Sequence, residues 1–155
     1  MFERFGEMSS CREINELAEN LLNEGDIQSL KTMAQENGIP EDYVEMYQSG
    51  DIPYLCDAVT AAMGKLDVEC RSLKLAGLMN DWVEYIRGLC MEDEMVAHQV
   101  RKKGKSLKQC IAEILKYAFK NQVPVDKEII KLQESTTGKV TLGRSGHGYR
   151  KKTDP

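Results

Sequence analysis

The stretch SCREINELAENLLNEGDIQSLKTMAQENGIPEDYVEMYQSG, residues 10–50, is punctuated as three consecutive helices. Ser10 followed three residues later by Glu13 has the form of a capping box, in which side-chain oxygens take up N–H groups that a helix start leaves unpaired. Ile14, Leu17 and Leu21 recur on one helical face, and Gly25 offers a left-handed stop. Asp26 can cap a second helix with Ile27, Leu30 and Ala34 inside and Gly38 at its end. Pro40 suits the first turn of a third, where a missing N–H costs nothing. Tyr43, Val44 and Tyr47 face inward there, and Gly50 closes it.

The same punctuation continues downstream. Leu55–Met63 predicts a short helix stopped by Gly64, and Leu66–Cys70 is ambiguous. Leu75–Cys90 predicts an amphipathic helix with Leu78, Trp82, Tyr85 and Leu89 on its inner stripe, which makes Trp82 a core residue. Glu92–Arg101 continues after a break, and Gly104 stops it. Ser106 opens a helix whose buried face is Leu107, Ile111, Ile114, Leu115 and Ala118. Pro124 interrupts, and Asp126 caps a last helix through Leu132. From Ser135 the periodicity vanishes into STTGKVTLGRSGHGYRKKTDP, which reads as a flexible basic tail. The expected fold is all-α: an irregular bundle of six to eight short helices. It divides into an acidic helical subdomain (1–66), a helical core domain (67–134) and a Gly-rich tail (135–155). Any strand is expected around Leu66 or Val140.

Composition bounds the function. At 155 residues the chain can bury a core without staples. No run of 18 apolar residues exists, and MFERFGEMSS has neither a basic n-region nor an apolar h-region, so neither a membrane span nor a secretory signal is expected. Cys11, Cys56, Cys70, Cys90 and Cys110 are scattered and form no CxxC pair, so they read as buried small hydrophobes in a reducing cytoplasm, and no metal site is expected. His98 and His147 have no triad partner nearby in sequence, and GRSGHG lacks the order of a phosphate loop. No catalytic residue, cofactor or small-molecule substrate is indicated; the chain reads as a binding protein, not an enzyme.

The net charge of −4 conceals a division. Residues 1–95 hold 20 acidic and 7 basic residues, a net −13; residues 96–155 hold 5 and 14, a net +9. Such segregation points to charged partners, or to two faces that attract each other. Residues 29–47 have a helix-turn-helix flavour through Ala34, Gly38 and Val44. The second helix, PEDYVEMYQSG, carries no Lys or Arg, so DNA phosphates would repel it. That leaves a plain helical hairpin or an acidic surface for a basic protein: Glu41, Asp42 and Glu45, with Glu92, Asp93 and Glu94 as a second cluster. Arg101, Lys102, Lys103, Lys105 and Lys108 can hold phosphate around Gly104, or pair with the acidic half. The tail adds Lys139, Arg144, Arg150, Lys151 and Lys152, with Tyr149 available to stack on a base.

The series INELAENLLNEGD, LKTMAQENGIPEDYVEMY, TAAMGKLDVE, NDWVEYIRGLCMEDE, VRKKGKSLKQCIAEILKYAFKNQVPVDKEIIK and KVTLG resembles the PcfK-like proteins of Gram-positive mobile elements. The resemblance covers roughly Phe5 to Lys152, and its most specific block runs from Trp82 to Ile130. After KVTLG the chain departs from the family pattern with a short hydrophilic RSGHGYRKKTDP. One branch of that family comprises anti-CRISPR proteins. The resemblance therefore implies stoichiometric inhibition of a type II Cas nuclease carrying its guide RNA. Blocking of DNA through an acidic surface, with possible contact to guide RNA or DNA, fits the charge pattern. The other expectation is a conjugation accessory protein that binds nucleic acid through the basic loop and tail.

Overall fold

The computed structural model describes residues 3–137, 140–141 and 150–151. The fold is all-α, with eight helices among the described residues: α1 Cys11–Asn23, α2 Ile27–Glu36, α3 Glu41–Ser49, α4 Ala58–Ser72, α5 Leu78–Glu92, α6 Glu94–Arg101, α7 Leu107–Lys120 and α8 Lys127–Thr137. Their only strand pairing is a two-residue antiparallel ladder of Val140–Thr141 with Arg150–Lys151. The chain separates into two compact units, Met1–Ile111 and Ala112–Pro155, so α7 crosses the division. Residue 66, the expected end of the first segment, lies inside the continuous α4.

The helix starts are made as the sequence announces. The Ser10 hydroxyl accepts from the Glu13 N–H at 3.2 Å, and the Glu13 carboxylate accepts from the Ser9 N–H at 2.6 Å. Asp26 accepts from the Ser29 N–H at 3.0 Å, Ser106 from Gln109 at 3.2 Å and Asp126 from Glu128 at 2.8 Å. Two caps were not anticipated: Asp57 takes the Thr60 N–H, and Asp93 takes the Met95 N–H. Asp93 is also the break between α5 and α6.

In the first unit, α1, α2 and α3 enclose a core of Ile14, Ala18, Leu21, Leu30, Met33 and Val44, closed by Leu55 and Ala61. A second cluster joins α4, α5 and α6 through Ala58, Ala62, Cys90 and Ala97, and a third joins Leu66, Val83, Leu107 and Ile111. α4 is the central element, and it runs straight through Gly64, where the sequence predicted a stop. The glycine serves a close approach instead. A Cβ at Gly64 would lie 2.5 Å from the Asn37 carbonyl oxygen, and one at Gly38 would lie 2.2 Å from the Gly64 oxygen. With Gly38 at φ +73°, the α2–α3 turn rests directly on the α4 backbone.

The inner stripe of α5 is rotated from the expected one. Val83 and Cys90 are buried with Met79 and Ile86 beside them, while Leu78 and Tyr85 are exposed. Trp82 is half-buried against the Leu66–Leu107 cluster. Two more expectations are corrected. Cys110 is exposed. The α7 stripe is buried only at Leu107 and Ile111, and Leu115 and Ala118 are exposed. The last helix runs past Leu132 to Thr137.

Candidate functional site

α3 presents the first acidic cluster. Glu41 and Asp42 occupy its first turn, where the positive end of the helix dipole favours carboxylates, and Glu45 follows one turn on. All three are exposed. Glu41 pairs with Lys31 of α2 at 3.0 Å. The hydrogen bond and charge of Glu41 raise the Lys31 pKa, and Glu45 adds to the effect. Burial raises the pKa of Tyr47, and so does the Glu19 charge, which brings the α1 surface into the same field.

The second cluster sits where α5 gives way to α6. Glu92, Asp93 and Glu94 are exposed; Asp93 is held by its cap and Glu94 lies 3.5 Å from His98. Burial raises the Cys11 pKa, with Asp57 and Glu94 adding to it, so the α4 cap and the α6 start share one negative field. Nothing in the geometry joins the two clusters into one patch.

The basic segment divides. Lys102, Lys103, Lys105 and Lys108 are exposed, with Lys105 donating to Gln99 at 2.9 Å. Arg101 is not a surface cation; only 1% of it is accessible. Its Nε donates to the Met8 carbonyl at 3.0 Å, and one terminal nitrogen donates to the Ala61 and Asn37 carbonyls at 3.2 and 3.4 Å. The other terminal nitrogen donates to the Asn37 side-chain oxygen. Burial pushes its pKa down, while Cys56, Glu7, Glu13 and Glu69 act the other way. Arg101 thus pins the N-terminal segment, the α2–α3 turn and α4 to α6, and the expected phosphate contact by this residue is withdrawn.

Two further buried charges escaped the sequence reading. Lys65, 1% accessible, bridges Glu7 at 2.6 Å and the Lys102 carbonyl at 2.7 Å. Glu69 accepts the Leu107 N–H at 2.9 Å, so a residue of α4 caps α7. Burial raises the Glu69 pKa. Neither residue stands in a local pattern that separates it from surface charge.

Beside Glu69 lies an open apolar groove of about 340 Å³, walled by Leu66, Ile86, Met95, Val96, Val100 and Leu107. No local sequence pattern marks this groove, since its wall comes from four separate helices. Among the described residues no His, Cys, Asp or Glu set is grouped to hold a metal ion, and no helix is long and apolar enough to cross a membrane. His147, Lys139, Arg144, Tyr149 and Lys152 lie outside the described residues. Comparison with protein-family models, curated proteins and solved structures returns no match.

Proposed function

We propose that the chain is a stoichiometric protein inhibitor of a type II RNA-guided DNA nuclease, as its resemblance to the anti-CRISPR branch of the PcfK-like proteins implies. The observation that carries this reading is the sign of the accessible charge. Over residues 3–95, 16 acidic residues are exposed against four basic ones, because Lys65 is buried and Lys31 and Arg87 are partly covered. Effectors of this class hold nucleic acid in positively charged channels and read a short duplex motif with arginines. A folded acidic surface can occupy such a channel in place of the DNA backbone. Its field speeds encounter, and the effect falls as salt rises. The inhibitor works by occupancy, in the cytoplasm where the effector acts, and needs no catalytic group.

The four exposed loop lysines favour a second reading, in which the chain grips guide RNA or DNA as an accessory protein of conjugation. Burial of Arg101 weakens this reading by removing its best phosphate fork. Gel filtration with purified effector, with and without guide RNA, tests the first reading; fluorescence anisotropy with free duplex and free guide RNA tests the second. Inhibition predicts co-elution with the effector and negligible binding to free nucleic acid. No co-elution, with nucleic-acid binding that falls steeply with salt, would overturn it.

A further inference from the structure

Residues 3–10 precede α1 without forming a helix, and none of them is fully buried. They lie against three fully buried polar side chains, Asn37, Lys65 and Arg101. The segment is held first from α2. One oxygen of the Glu36 carboxylate accepts the Arg4 N–H at 2.8 Å, and the other accepts the Phe5 N–H at 3.0 Å. Gly6, at φ +78°, turns the backbone after these anchors. The Glu7 carboxylate then meets Lys65 at 2.6 Å, and the Met8 carbonyl accepts from Arg101 at 3.0 Å.

The basic loop between α6 and α7 is tied to the same segment. The Lys103 N–H donates to the Ser9 hydroxyl at 3.2 Å. The Lys102 carbonyl accepts at 2.7 Å from Lys65, the ammonium that Glu7 neutralises. Within the loop, the Lys105 N–H reaches the Lys102 carbonyl at 3.3 Å, at the long end for such a bond. Residues 4–9 therefore form a strap, gripped by Glu36 at its start and gripping the loop backbone at its end. Little apolar surface opposes its release, since Phe5 and Met8 are only partly buried against the first core cluster. Segments with few buried apolar contacts and exposed hydrogen bonds open locally at a lower cost than global unfolding.

We propose that residues 4–9 are a latch on the basic loop. While Glu36 holds the strap, Lys102, Lys103 and Lys105 are presented as a fixed cluster. When the strap lifts, the loop loses the Ser9 contact, and Lys65 loses the carboxylate that holds it under the Lys102 carbonyl. A buried ammonium without its partner is costly, so Lys65 leaves that position and the loop backbone is freed. The presentation of this cationic surface is thereby set from α2, through the strap. The inference concerns the geometry of the loop and does not rest on the inhibitory function proposed above.

The test is native-state hydrogen exchange of the full chain, read by peptide mass spectrometry, for the wild type, Glu36→Ala and Glu36→Gln. Glu36 is the last residue of α2, where a carboxylate opposes the helix dipole, so its removal does not weaken the helix itself. Glu36→Ala removes both bonds to the strap. The amides of residues 4–9 are expected to exchange faster, and those of residues 102–105 about tenfold faster with them, while α4 and α5 keep their wild-type protection. Glu36→Gln keeps one carbonyl oxygen and is expected to fall between. Faster exchange in the strap with the loop unchanged overturns the proposal. So does unchanged exchange in both. Equal acceleration across all the helices also overturns it, because the strap would then open only with the whole fold.

Discussion

The guanidinium of Arg101 donates to both the side-chain oxygen and the backbone carbonyl of Asn37, across 64 residues of sequence. Both residues are buried, and the Asn37 amide nitrogen donates onward to the Met33 carbonyl at 3.0 Å. Arg101→Ala leaves the Met8, Asn37 and Ala61 carbonyls without this donor, so it is expected to cost about 3 kcal/mol or more. Arg101→Lys retains the charge but not the planar fork, and falls between. Urea unfolding of the three proteins measures the order; an alanine variant as stable as the wild type would contradict the hub assignment.

Two glycines in neighbouring helices should respond with opposite signs. Gly64→Ala drives a Cβ toward the Asn37 carbonyl and is expected to cost about 1–3 kcal/mol. Gly88, within α5, has nothing within 4 Å of an added Cβ, so Gly88→Ala is expected to stabilise by about 0.5–1 kcal/mol. Thermal melts of the pair give the comparison.

Why these sites were or were not legible follows from the range of the forces involved. Caps at Ser10, Asp26, Ser106 and Asp126 act over two to four residues, so their chemistry stands in the local sequence. Arg101 sits in a run of cations that reads as solvated, and its partners lie 40 to 93 residues away. The inner stripe of α5 is ambiguous in the sequence because that helix is apolar on two faces. Leu78–Trp82–Tyr85–Leu89 and Met79–Val83–Ile86–Cys90 both keep helical spacing, and only packing against α4 and α6 selects the second. Gly64 gave the signal of a helix stop when its lack of a side chain was needed for contact with Gly38. Of the candidate site, the acidic residues were legible as exposed charge; the groove, assembled from four helices, was not.

Glu69 makes stability depend on pH. Its folded pKa is raised by burial, so the folded state binds more protons than the unfolded state between the unfolded and folded values. Stability is therefore lost as pH rises through that window, and the loss is complete above the folded pKa. Glu69→Gln keeps an acceptor for the Leu107 N–H and abolishes that part of the slope. Glu69→Ala loses the cap, at about 1 kcal/mol. Denaturation midpoints from mildly acidic to neutral pH separate the two variants; identical pH slopes in wild type and Glu69→Gln would contradict the account.

The thiols should differ in reactivity. Burial pushes the Cys56 pKa up to about 12, so almost no thiolate forms at neutral pH. Cys110 is exposed. With a thiol-specific reagent on the native protein, Cys110 is expected to react first and Cys56 only on unfolding, as followed by peptide mass mapping.

Under the proposed inhibition each acidic cluster is expected to matter as a group, because a single exposed charge is worth at most about 1 kcal/mol. The informative variants are Glu41→Lys/Asp42→Lys/Glu45→Lys and Glu92→Lys/Asp93→Asn/Glu94→Lys. Asparagine preserves the α6 cap, so loss of binding cannot be blamed on loss of that helix start. At least one variant is expected to slow association with the effector and flatten its salt dependence, measured by surface-immobilised binding kinetics.

Inhibition by occupancy is measured by titrating the chain into a fixed amount of guide-loaded type II effector and following cleavage of target DNA. Cleavage is expected to decline to zero with an end point at stoichiometric amounts, shifted to large excess by a charge-reversal variant that remains folded. Cleavage that continues undiminished at a large molar excess of the wild-type chain would contradict it.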